Sequence, residues 1–171
     1  MSSIADTNAI EMLSSQHDEI ANLFDDLEDE TSLTRKREVF ETLADALAVH
    51  VTIEERHFYP AVRARNTEVI VEESFEEHMG IKLVLADMLA TPIDDETFDA
   101  KTAALRELVE MHVEEEERDL FPKVELLLDE GVLVAIAGEM SATQDALVRR
   151  GDPRLTIPTE TDGVPDHATF S

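Results

Sequence analysis

The chain has 171 residues, 40 Asp and Glu against 14 Lys and Arg, a formal net charge of −26, and no cysteine. These facts exclude disulfides, zinc fingers, thiolate-held iron–sulfur clusters and cysteine nucleophiles, and they argue against nucleic acid as a partner, because phosphate binding needs a clustered positive surface. With 43% apolar residues in helical register, the composition describes a folded core under an anionic shell, one suited to strong salt, where screening shortens to about 3 Å at 1 M.

The first segment places Ile10, Leu13, Ile20, Phe24 and Leu27 on one face by alternating steps of three and four, and His17 fills the missing position. The second runs Phe40, Leu43, Leu47, His50, Glu54, His57 and Ala61 in the same register. The third carries Val71, Ser74, His78, Ile81, Leu85 and Met88, and the fourth Phe98, Leu105, Leu108, His112, Glu116 and Asp119. Turn chemistry in "DETSLT", "ARNTE" and "TPIDDET" separates the four helices by short connections, which favour antiparallel neighbours. The expected fold is therefore all-α, an antiparallel up-down-up-down four-helix bundle. Gly131 is expected to close the fourth helix, and "VLVAIAGEMSATQDALVRR" to form a short, peripheral fifth. Residues 1–150 then make one domain, and 151–171 a polar tail without periodicity, expected to be flexible.

The longest wholly apolar run, residues 132–137, is far too short for a membrane span of roughly 18 residues, and "MSSIADTN" lacks the pattern of a signal peptide. The expectation is a soluble, cytoplasmic protein with no membrane partner.

The phrase "HVTIEERHFYP" at 50–60 returns as "HVEEEERDLFP" at 112–122, and the spacing from His17 to His50 is matched by that from His78 to His112. The chain thus reads as two related helical hairpins around a pseudo-two-fold axis. Four residues along a helix advance the direction by about 40°, so His50 with Glu54, and His112 with Glu116, point the same way. Buried carboxylates need a cation, and no lysine or arginine is expected on the four stripes to supply one. Four imidazoles, two per ion, with two carboxylates between them, would hold a pair of metal ions. Ser74 and Asp119 fall on the same faces. His57 shares the face of His50 to within about 20°, but its counterpart is Asp119, so it reads as a partner behind the ligands or a residue at the site's mouth, with an extra ligand as the alternative for His57, Asp119 and Ser74 alike. Pro60 and Pro122 should bend or end their helices, and Phe58–Tyr59 and Leu120–Phe121 read as packing that closes the core below the site, with a redox or hydrogen-bonding role for Tyr59 as the alternative. "EEEE" at 114–117 is, apart from Glu116, a solvated face.

His17, His50-x-x-x-Glu54, His78 and His112-x-x-x-Glu116, followed by "EERHFYP" and "EERDLFP", resemble the hemerythrin-like HHE cation-binding proteins over residues 8–130. The resemblance implies a four-helix bundle enclosing two non-haem irons, bridged by two carboxylates and usually an oxo or hydroxo group. Manganese and zinc also suit these ligand types. Oxygen-carrying hemerythrins have His-x-x-x-His on the third helix, where this chain has Ser74, and His-x-x-x-x-Asp on the fourth. The remaining set is similar to that of the repair-of-iron-centres proteins, although the cysteine-bearing domain found in many of those is absent. One missing histidine would leave an open position, which implies binding of O₂, NO or peroxide. A ferritin-like reading needs Glu-x-x-His twice and finds it once, at Glu54 to His57.

Overall fold

The computed structural model describes residues 7–162; residues 1–6 and 163–171, with His167, lie outside them. Every regular element among the described residues is helical.

Helix α1 (Ala9–Asp29) starts where the Asn8 side chain accepts a hydrogen bond from the Glu11 N–H, and α2 (Leu33–Ile53) where Ser32 does the same for Arg35. A five-residue π turn, Glu54–Phe58, and a short α3 (Tyr59–Val62) continue α2. Helices α4 (Glu68–Leu89) and α5 (Phe98–Glu115) form the second hairpin, extended by a matching π turn, Glu116–Leu120, and α6 (Phe121–Leu127). Helix α1 packs on α2, α4 on α5, and α1 on α5, which joins the two hairpins into one bundle.

The two prolines neither end nor simply bend their helices. In an α-helix the Pro60 ring would meet the carbonyl of Arg56; widening the preceding turn moves that carbonyl aside, and the Tyr59 N–H bonds back to the Glu54 carbonyl instead. The second hairpin repeats this from Phe121 to Glu116.

The apolar core is divided in two. One cluster, with Leu13, Ile53, Phe58, Tyr59, Leu120 and Phe121, lies at the proline end; the other, with Phe24, Leu43, Leu47, Leu85, Phe98 and Leu105, lies at the far end. His17, His50, Glu54, His78, His112 and Glu116 of the stripes form the buried polar layer between them.

Helix α7 (Glu130–Arg150) is as long as the bundle helices rather than short. Gly131 lies in its first turn instead of closing the fourth helix, because Asp129 caps the new helix by accepting from the Val132 N–H. Leu133, Ile136, Ala137 and Met140 bury its apolar face against the proline end of the first hairpin. Gly151, at φ 87°, ends it in a conformation that favours glycine.

The polar segment after Gly151 begins with a docked piece. Residues Pro153–Thr156 form a 3₁₀ turn and α8 spans Ile157–Glu160, the first against α2 and the second against α4. Ile157 is fully buried, and Asp45 accepts from both the backbone N–H (3.0 Å) and the guanidinium (3.1 Å) of Arg154. No helix among the described residues is long and apolar enough to cross a membrane.

Candidate metal centre

Side chains from α1, α2, α4 and α5 meet in the polar layer because each replaces an apolar residue on a core-facing stripe. His17, His50, Glu54, His78, His112 and Glu116 are each 4% exposed or less. They form two groups of potential ligand atoms, each lying within 4.8 Å of one another: His17, His50, Glu54 and Glu116 in one, and Glu54, His78 and His112 in the other. Glu54 belongs to both. Its Oε1 is 2.9 Å from His50 Nε2 and 3.2 Å from His78 Nε2, while Glu116 Oε1 is 3.2 Å from His17 Nε2 and 3.3 Å from His112 Nε2.

Four atoms of this layer, His17 Nε2, His50 Nε2, Glu54 Oε2 and Glu116 Oε1, are buried and make no hydrogen bond: the two ring nitrogens stand 3.2 and 2.9 Å from carboxylate oxygens, but with the imidazole proton at Nδ1 two acceptors face each other. Leaving a buried polar atom unpaired costs about 1–3 kcal/mol, so four that converge on one point fit a cation there. The chemistry of the donors, imidazole and carboxylate only, suits a first-row transition metal.

Each inward-facing Nε2 is backed by a partner at Nδ1. Glu117 takes the Nδ1–H of His17 at 3.0 Å, Gln16 that of His50 at 2.7 Å, Glu55 that of His78 at 3.2 Å and Glu77 that of His112 at 3.1 Å. Such partners fix the tautomer and ring orientation of a metal-binding histidine. Gln16 is itself held by Gln144 of α7 at 2.9 Å. The four supports repeat the pseudo-two-fold relation, Gln16 with Glu77 and Glu55 with Glu117.

Burial opposes a charge on His17, His78 and His112, but neighbouring carboxylates outweigh it and raise all three above the usual histidine value. For His50 burial wins over Glu54, and the value is lowered. Burial also works against the Glu54 carboxylate, yet His50 and the surrounding donors hold it well below the usual range. Tyr59, buried beside two carboxylates, is pushed well up and stays a phenol.

Tyr59 is more than packing: its hydroxyl donates to Glu116 Oε2 at 2.8 Å and lies 3.1 Å from His78 Nε2. His57 turns away from the layer to α7, with Nε2 2.6 Å from the Thr143 hydroxyl. Asp119 is at the surface paired with Arg118, and Ser74 is buried with its hydroxyl donating to the Ile70 carbonyl on its own helix. Lys82 corrects the expectation of cation-free stripes. It lies four residues after His78, is 6% exposed, and pairs with Glu55 at 2.8 Å rather than with Glu54 or Glu116. The supports Gln16, Glu55, Glu77 and Glu117 went unread, although each stands one residue from a stripe histidine or glutamate; Glu117 fell in the run read as a solvated face.

A solved structure of a Hemerythrin HHE cation binding domain-containing protein from Mycobacterium kansasii shares the fold, with a TM-score of 0.74, 22% identity, and coverage of 90% of this chain and 98% of that one. The uncharacterized protein Rv2633c of Mycobacterium tuberculosis is 26% identical over 155 residues, 90% of this chain and 94% of its own. A DNA nickase of a Nostoc species is 25% identical over 145 residues, 85% of this chain, which spans only 41% of the nickase's length. The family model of the Hemerythrin HHE cation binding domain matches residues 8–124, and the chain belongs to that family.

Proposed function

We propose that this protein holds two non-haem irons in the polar layer and through them binds or senses O₂, NO or redox state, or keeps iron in store. The observation that carries this reading is the pair of ligand groups sharing Glu54 inside one buried layer. His17 and His50 would serve one ion, His78 and His112 the other, with Glu54 and Glu116 between them. Bound there, iron supplies one-electron redox chemistry and affinity for small diatomic ligands. The chain's own part is to keep four imidazoles oriented through Gln16, Glu55, Glu77 and Glu117, and to bury the layer between two apolar clusters that exclude bulk water.

A second reading, an enzyme that turns over peroxide or nitric oxide, is favoured by one feature: the Tyr59 hydroxyl lies inside the layer and donates a hydrogen bond to Glu116. Iron-centre repair, implied by the likeness of the ligand set, has no such support beyond that likeness. The formal charge of −26 supports keeping nucleic acid out of the proposal. The same charge supports a salt-rich cytoplasm as the setting.

Metal analysis with visible spectroscopy tests this. Anaerobically reduced protein should carry two irons per chain and develop a ferric spectrum in air that reverses on reduction. Two irons retained by a Glu54→Ala, Glu116→Ala double variant would sink the bridging assignment. Repeated turnover on stopped-flow mixing with peroxide or NO would select the enzyme.

A further inference from the structure

The two hairpins are matched at the centre but treated differently on their outer faces. On the first, α7 lies along the groove between α1 and α2 and covers Val49, 8% exposed, and Ile53, fully buried. Moving 62 residues along the chain brings these positions to Met111 and Glu115 on the second hairpin. There the corresponding groove, between α4 and α5, is open and encloses about 750 Å³. Met111 is 62% exposed and Leu108, the counterpart of Ala46, 36%. Gly80 leaves the α4 wall of the groove without a side chain, and a Cβ there would meet nothing within 4 Å.

We propose that this groove docks a helix of a partner protein, one with an apolar stripe flanked by lysines and arginines. The shape follows from α7, which shows what the equivalent groove accepts. The charge follows from the walls: Glu72, Glu73, Glu76 and Glu77 on α4, and Glu114 and Glu115 on α5, against Arg118 alone. A second copy of the chain would press one glutamate-lined groove on another, at a Coulombic cost that a cationic helix turns into attraction. The docked helix would meet Glu77, which supports His112, at the place where Gln144 of α7 meets Gln16, which supports His50. Occupancy of the groove therefore touches the polar layer through one side chain. This inference is independent of which metal or small ligand the layer takes.

The test uses the full chain and two synthetic 21-residue helices with the apolar positions of α7, one with lysines and one with glutamates elsewhere. Fluorescence anisotropy in about 0.15 M salt should show binding of the lysine helix only. Met111→Asp and Gly80→Phe should each weaken it about tenfold or more, while Val148→Asp, on the exposed side of α7, should not. Equal or tighter binding by Met111→Asp would mean surface charge alone and overturns the groove. So would equal binding of the glutamate helix, or no binding of the lysine helix. A chain that sediments as a dimer, and as a monomer once Met111→Asp is made, would overturn the partner helix in favour of a second copy. Met111 is exposed, and circular dichroism of each variant identifies any that has lost the fold.

Discussion

Loading the metal-free protein with ferrous iron should expel protons, in a number set by the polar layer. Metal ligation requires neutral imidazole, yet carboxylates raise His17, His78 and His112 above the ordinary 6.5. At pH 6.5 each of the three is more than half protonated, and His50, lowered by burial, less than half. Together they release about 1.5 to 3.5 protons per chain as both ions bind. The overall binding constant should then rise by that many powers of ten per pH unit near 6.5, about 2–5 kcal/mol. The metal-free fold shows the complementary trend. Its charged histidines contribute stability below pH 6.5 that is lost as pH rises through their raised values, whereas Glu54 contributes above its ordinary 4.5 and is lost as pH falls through its depressed one. A pH-indicator dye in weakly buffered anaerobic solution counts the protons, and parallel titrations at pH 6 and 7 give the slope. Fewer than about one proton per chain, or equal affinity at both pH values, would refute the assignment of these imidazoles as ligands.

Replacing His57 by Ala should leave metal content unchanged and cost about 1 kcal/mol through the lost Thr143 bond; loss of an ion from the variant would make His57 a ligand after all. Ile157→Ala should destabilise by about 2–5 kcal/mol in urea, since the side chain is fully buried; a negligible effect would mean the segment after Gly151 is not docked in solution. Raising KCl from about 0.1 to 1 M should raise the urea midpoint by screening the −26 charge, and an unchanged midpoint would remove the case for salt adaptation.

The centre was legible because each of its histidines interrupts an otherwise apolar three-four step, and a polar residue on a core stripe is conspicuous. The short turns gave the hairpins for the same reason, being polar breaks in a regular pattern. Residues that act from beside a stripe are not conspicuous: Glu117 looks like any other member of an acidic surface run until the fold sets it against His17. Lys82 escaped because its burial depends on Glu55, a residue of another helix. Ile157 escaped because the few apolar side chains of that polar segment follow no period, and only the place it fills gives it meaning. The hydrogen bonds of Tyr59, second to packing in the sequence, are hidden there because 3.6 residues per turn, extrapolated past Glu54, points it elsewhere.

The π turn that redirects Tyr59 bears on how the chain tolerates insertions and deletions. Tyr59 stands five residues after Glu54, an angular advance that leaves it about 140° away on a regular α-helix. The i to i+5 bond of the π turn brings it back over Glu54. The turn thus behaves as a one-residue phase shift between the half of the helix that presents His50 and Glu54 and the half that presents Tyr59. Removing any single residue from 55 to 57 would place the tyrosine four residues after Glu54, about 40° away on a regular α-helix, so the phenol would face the centre without a π turn; losing the turn while keeping all five residues is what would swing it off. A relative with a gap of one there needs no π turn to present its hydroxyl to the centre; a relative aligned without a gap does.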